Sequence, residues 1–253
     1  MFYLYLLIAL AILAAVIFSA PLRLKVWMAL GAVGIIAIAG VIPAAGVLLG
    51  GRDVMIVAMQ SPLFGAETLA IDPLSAFMLI VISIAGITTT LYSRGYLEHY
   101  LNKKSSAHIS LHYFSLVVMV LSMMMVVVSS GGFSFLLAWE LMTIASFLLI
   151  LFDAQRAEVM RAALAYLVMM HIGFILLVAG FATSHAICGS ANFADLPLCF
   201  AQGKTLLIFV LFLLVFALEG VRGRLKASKV FKTSAIVLGV AVLVLALGEL
   251  VAY

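Results

Sequence analysis

Long apolar runs separated by short polar stretches set the pattern of this chain. Eight runs reach the ~20 mostly apolar residues that a bilayer-spanning helix needs. They cover residues 2–20, 26–50, 73–92, 110–129, 133–152, 162–183, 204–221 and 233–253. Barrel strands are only ~10 residues long and alternate in polarity. The pattern therefore predicts an all-α, polytopic transmembrane bundle of about eight helices. Pro43 falls inside the second run and should kink it. The fourth and fifth runs are joined by "SSGG", Ser129 to Gly132, which reads as a tight hairpin whose glycines permit the turn. The opening "MFYLYLLIALAILAAVIFSAPLRLK" has some look of a signal peptide. It lacks a basic start, and its apolar run is too long, so it is expected to remain as a first span.

Composition agrees with the pattern. Two thirds of the 253 residues are hydrophobic and 9% are charged, against about a quarter charged in soluble domains. This is the composition of an integral membrane protein, and nothing in it suggests a nucleic-acid partner. The polar intervals then give an orientation. The first, third, fifth and seventh carry Arg23, Lys25, Arg94, Lys103, Lys104, Arg156, Arg161, Arg222, Arg224, Lys226, Lys229 and Lys232, whereas the alternate ones carry only Arg52 and Lys204. The positive-inside rule places the first set in the cytoplasm, and both termini outside, in a multi-pass protein of the cell's inner (cytoplasmic) membrane. The basic seventh loop, "RGRLKASKVFK", reads as an anchor beside anionic headgroups. Cys188 and Cys199 share the sixth interval, on the outer side, where a disulfide is permitted; two unpaired thiols are the alternative. No internal repeat is visible, so residues 1–253 read as one membrane domain.

Chemistry in such a chain is carried by what is polar within the runs. Glu140 stands in "FLLAWELMTIASFLLILF", about 10 Å from the outer end of its helix, with no basic residue within a turn. A charge at the centre of a spanning helix costs roughly 2.5–3.5 kcal/mol on insertion scales, and such residues mark ion paths and proton relays. His171, near the middle of the sixth run, is a possible relay partner or simply a hydrogen-bonded packing residue. Glu219 can pair with Arg222 three residues on, and Glu249 lies close to an interface. Gly31 to Gly34, "GAVG", and nearby alanines suggest close helix packing. Trp27 and Tyr92 suit aromatic anchoring at helix ends. There is no Gly-rich phosphate loop, CxxC pair or His/Cys cluster, so neither a redox cofactor nor a metal is expected.

Three of these stretches carry a resemblance. "IDPLSAFMLIVISIAGITTTLYSRGYL" (Ile71 to Leu97) resembles the third helix of the antiporter-like membrane subunits shared by respiratory complex I, Mrp-type antiporters and group 4 hydrogenases. "FLLAWELMTIASFLLIL" resembles that family's fifth helix, with Trp139 and Glu140 as its Trp-Glu pair. "YLVMMHIGFILLVAGF" (Tyr166 to Phe181) is similar to the sixth helix of the hydrogenase-4 component B branch. The similarity covers about residues 69–218, with 219–253 divergent. The resemblance implies proton or Na+ translocation coupled to electron transfer in partner subunits. It makes Glu140 the key ionisable group, with His171 and Glu219 as further candidates. It also implies that the chain holds no redox cofactor and has no catalytic centre of its own, and that its partners are other membrane subunits and the bilayer. Two departures stand out. Glu219 occupies roughly the place of the family's seventh-helix lysine, and no Pro-Leu-His break follows it. The resemblance spans only the N-terminal half of the family pattern, so the chain is expected to come from a truncated gene, to be a shortened relative, or to be completed by another polypeptide. A non-conducting scaffold subunit and a stand-alone antiporter are the other readings.

Overall fold

The computed structural model describes residues 2–51, 54–61, 63–98, 100 and 104–197. Among them the first six expected helices are present: α1 (Phe2–Ser19), α2 (Leu22–Gly50), α3 (Pro73–Glu98), α4 (Ser106–Val128), α5 (Gly132–Ile150) and α6 (Ala157–Cys188). Five segments are long and apolar enough to cross a membrane: α2, α3, α4, α6, and α5 extended by a 3-10 turn to Asp153. The expected seventh and eighth helices, with Glu219, Glu249, Cys199 and the basic seventh loop, lie outside the described residues.

The helix ends follow from local chemistry. In "IDPLS", Asp72 accepts a hydrogen bond from the Ser75 N–H at 2.6 Å, while Pro73 begins α3 at a position where its missing N–H costs nothing. Gly51 and Gly189 close α2 and α6 at φ 65° and 74°, the left-handed conformation that glycine adopts freely. Ser105 caps α4, its hydroxyl accepting the His108 N–H. Several helices run past their apolar stretch. Arg23 and Lys25 belong to α2, Arg94 to α3 and Arg161 to α6, rather than to loops.

An all-α fold needs one addition. Val54–Ser61 (β1) and Gly65–Ile71 (β2) pair as a two-stranded sheet between α2 and α3. Both strands are far too short to read as spans, but β2 alternates cleanly. Glu67, Leu69 and Ile71 are its buried positions, the period-2 pattern of a half-buried strand.

The fold comprises two compact units. The first takes in residues up to 59, 68–129 and 141–152, and packs α1 to α4 together. Ala29, Val33, Ala37, Ala44 and Val47 form the buried stripe of α2. Gly31 and Gly34, expected to mediate packing, instead face open space, with nothing within 4 Å of where a Cβ would stand. They fall between the stripe positions on the helix turn. The close approaches lie at Gly40, where a Cβ would come 3.4 Å from Met124, and at Gly86, where it would come 3.0 Å from Val120. The helix runs through Pro43 to Gly50. The Ser75 hydroxyl donates to the Val127 carbonyl at 2.9 Å, joining α3 to the end of α4. Trp27 and Tyr92 are exposed, as anchors should be, and the Arg94 guanidinium lies 5.4 Å from the Trp27 ring.

The second unit takes in residues 60–67, 130–140 and those from 153 onward. Its core gathers Leu136, Met169, Leu176, Leu177 and Phe181, with Phe135, Trp139 and Phe193 against it. Gly131 pairs with Asn192 in an antiparallel bridge. The glycines of "SSGG" have a different role from the one expected. Neither has a positive φ. A Cβ at Gly131 would stand 2.5 Å from the Glu67 carboxyl carbon, and one at Gly132 would stand 2.7 Å from the Phe181 ring. Close approach, not turn conformation, requires them.

Candidate functional site

The chemistry of the second unit begins at the start of α5. The Glu67 side chain is 2% exposed. One oxygen accepts the Phe133 N–H at 2.8 Å and the other accepts the Ser134 N–H at 2.9 Å. The first N–H groups of a helix have no partner within the helix and carry the positive end of its dipole. A carboxylate arriving from a neighbouring strand satisfies both needs. The Ser134 hydroxyl bonds back to the Gly131 carbonyl at 3.1 Å, so the first turn of α5 is fully tied down.

Eight residues further along α5, roughly 12 Å at 1.5 Å per residue, stands Glu140. The structure brings it together with His171 of α6. Glu140 Oε1 lies 3.0 Å from His171 Nε2. The Glu140 side chain is 22% exposed and that of His171 44%. Trp139, Leu136, Met169 and Ile172, their near neighbours along α5 and α6, belong to the apolar core of this unit. Of the site residues expected from sequence, these two meet, and Glu219 lies outside the described residues.

The second nitrogen of His171 has its own partner. Nδ1 lies 2.9 Å from the Leu167 carbonyl oxygen, one turn earlier on α6. A carbonyl can only accept, so Nδ1 carries a proton. The other nitrogen, Nε2, then faces a carboxyl oxygen. With no proton between them, two lone pairs would oppose each other at 3.0 Å. A hydrogen bond across the Glu140–His171 contact takes one proton, held as imidazolium with carboxylate or as neutral imidazole with carboxylic acid.

Sequence reasoning missed two buried charged residues. Glu67 is one; its signal was the alternation of "ETLAI", which points it inward with Leu69 and Ile71. Lys25, in the first unit, is the other. Counted by its sign among the loop cations, it is fully buried. Its ammonium donates to the Ile17 carbonyl at 3.3 Å and to the Ser110 hydroxyl, linking α1, α2 and α4. Its neighbour Arg23, two residues away, is exposed, and nothing in composition separates the two. Cys188 ends α6 and is disulfide-bonded. Among the described residues no group of His, Cys, Asp or Glu has the makings of a metal site.

Residues 129–222 match the family model described as NADH:quinone oxidoreductase/Mrp antiporter, TM. Residues 67–105 match the complex I chain 5 N-terminus. Hydrogenase-4 component B of Escherichia coli is 29% identical over 149 residues, 58% of this chain and 21% of that protein. NADH-quinone oxidoreductase subunit N of Acinetobacter baumannii is 30% identical over 125 residues, 49% of this chain and 24% of that protein. The chain thus spans only about a quarter or less of the curated relatives it matches. Among solved structures, the membrane-bound sulfane sulfur reductase, an archaeal respiratory membrane complex, shares the fold with a TM-score of 0.60 at 22% identity. That match covers 82% of this chain and 32% of its counterpart. The matched segments contain the Asp72–Pro73 helix start, the Trp139–Glu140 pair and His171, and the chain is an integral membrane protein of the antiporter-like subunit family of complex I, Mrp antiporters and hydrogenase-4.

Proposed function

We propose that the chain is a membrane subunit of a complex I-like or group 4 hydrogenase-like assembly and takes part in translocating protons, with the Glu140–His171 pair as its proton-handling group. The observation that carries the reading is the 3.0 Å contact between the two side chains inside an apolar helical unit. Intramembrane ionisable residues of this kind are rare and mark ion paths.

The geometry gives the pair a way to couple protonation to position. With one proton shared, the pair is neutral overall and the contact is a hydrogen bond. Loss of that proton leaves a carboxylate facing the bare Nε2, because Nδ1–H stays committed to Leu167. The two groups must then part. Gain of a second proton leaves imidazolium donating to a neutral carboxyl, and the contact survives. Proton release thus separates α5 and α6 side chains that proton uptake brings together. In this reading electron transfer takes place in partner subunits, and the chain itself contributes no redox group. The charge distribution supports a cytoplasmic position for the ends of α3 and α6 that carry Arg94 and Arg161, in the cell's inner membrane, and a single membrane domain.

The test replaces Glu140 with Gln and measures proton pumping in inverted vesicles from cells that make the assembled complex. Pumping should fall to background while assembly is retained. Unchanged pumping with normal assembly overturns the role. A scaffold role is favoured by one observation, the Glu219 that stands in place of the family's lysine. It predicts that Glu140→Gln lowers assembly, or changes nothing, rather than abolishing pumping in an assembled complex.

A further inference from the structure

In the second unit the C-terminal end of α6 runs directly into a strap, residues 189–195, that is bonded to the start of α5. Gly189 turns the chain out of α6 at φ 74°, its N–H donating to the His185 carbonyl at 2.9 Å. The Ser184 hydroxyl of α6 donates to the Ser190 carbonyl at 3.1 Å. The strap then folds on itself. The Ser190 hydroxyl donates to the Asp195 carboxylate at 2.6 Å and accepts the Asn192 N–H at 3.2 Å. From this knot two backbone bonds reach the chain entering α5. The Gly132 N–H donates to the Ala191 carbonyl at 3.0 Å, and the Phe193 N–H donates to the Ser130 carbonyl at 3.0 Å. The Asn192 side-chain amide donates to the Ala66 carbonyl at 3.2 Å, next to the Glu67 that caps α5. Cys188, the last residue of α6, is disulfide-bonded, which fastens this helix end a second time.

These bonds lock what helix packing leaves loose. In a bilayer no hydrophobic force drives one helix against another. What meets between α5 and α6 near the strap is apolar: the Phe135 and Phe181 rings lie 5.9 Å apart, in the core that also holds Leu136 and Leu177. Apolar packing is non-directional, whereas a hydrogen bond fixes both distance and angle. A slide of one residue along a helix is about 1.5 Å. It would stretch and bend the 3.0 Å contact between Glu140 and His171 toward the limit of hydrogen bonding. The strap opposes that slide, because it bonds the chain leaving α6 to the chain entering α5.

We propose that the strap is a positioning element for proton handling: it holds α5 and α6 in the register that brings Glu140 to His171. This rests on the proton-handling role of that pair, and adds the part of the fold that sets the pair's geometry. The two side chains meet near the middle of α6, while the strap works from its end, so the strap acts on them only through the helices.

The test lengthens the link between α6 and the strap. Two glycines are inserted after Gly189 in a chain whose Cys188 and Cys199 are both replaced by serine. The strap keeps its own knot and its bonds to α5, but α6 is free to slide. Nitrogen-15 spectra of the histidine-labelled full chain in detergent micelles, at one fixed pH, read the contact at His171 Nε2. The signal is assigned by its loss in His171→Gln, and its unbonded position is given by Glu140→Leu. The insertion should move the signal to the Glu140→Leu position. The serine background alone should leave it at the wild-type position, as should Asn192→Ala, which removes only the bond to β2. A thermal melt checks folding, and a single inserted glycine serves if two are not tolerated. In the assembled complex the insertion should abolish proton pumping into inverted vesicles. A signal that stays at the wild-type position in a folded insertion variant overturns the proposal, because the packing of Phe181 over Gly132 would then set the register alone. A signal that moves while pumping persists upholds the strap and overturns instead the role of the Glu140–His171 pair.

Discussion

Replacing Glu67 with Ala should loosen the helix that carries Glu140, although the helix start that Glu67 holds lies about 12 Å from Glu140 along α5. The native carboxylate accepts two backbone N–H bonds at 2.8 and 2.9 Å while almost completely buried. Hydrogen bonds to a charged group each contribute about 1.5–3 kcal/mol net. The charge at the helix N-terminus adds to the same interaction rather than beside it. Alanine removes the Glu67 oxygens that accept the Phe133 and Ser134 N–H groups. The expected loss is about 3–5 kcal/mol. Glutamine keeps one acceptor oxygen, but turns its NH2 toward the other N–H, so about half that loss is expected. Aspartate is one methylene shorter and should behave more like alanine than like glutamine.

The assay is reversible unfolding of the full chain in mixed micelles, paired with amide hydrogen exchange. Peptides covering Phe133 to Phe135 should lose protection in Glu67→Ala, to a smaller extent in Glu67→Gln, and hardly at all in a substitution at exposed Leu74. A stability change below about 0.5 kcal/mol, the range of ordinary surface substitutions, with native exchange at these amides would refute the capping role. Any accompanying change in proton translocation should track the exchange of α5, because Glu67 acts only through the position of that helix.

Three further outcomes follow from the same geometry. Gly132→Ala should destabilise by about 1–3 kcal/mol, because its Cβ meets the Phe181 ring. Gly34→Ala, facing open space, should be neutral or stabilising by up to about 1 kcal/mol; equal effects in a thermal melt would sink the distinction. Lys25 should react with amine-directed reagents at least about tenfold more slowly in the folded chain than after unfolding in detergent, as a fully buried group must; quantitative peptide mapping reads the ratio. His171→Gln should keep a hydrogen bond to Glu140 but supply no group that takes up and releases a proton near neutral pH. Assembly should be normal and proton pumping lost, and retained pumping would remove His171 from the pathway.

What the sequence makes legible here is what a bilayer enforces. Spanning helices must be long and apolar, so the five that are long enough to cross, and the shorter apolar α1 before them, showed at once, and Asp72–Pro73 announced a helix start by chemistry that needs no tertiary context. Glu140 and His171 were visible because an ionisable side chain in an apolar run has to be explained. Their 3.0 Å contact was not, since it depends on how α5 and α6 turn toward each other. Residues placed by tertiary contact gave little signal. Lys25 and Arg23 look alike in sequence, yet one is buried and the other exposed. Gly31 and Gly131 look alike as well. The first faces open space, and the second leaves room for the carboxylate of Glu67, brought in from a distant strand. That pairing also explains "SSGG". A short connection between two spanning helices could have used any turn residues. Gly131 lacks a side chain because the Glu67 carboxylate passes there to reach the backbone of α5, and Gly132 because the Phe181 ring stands where its Cβ would be.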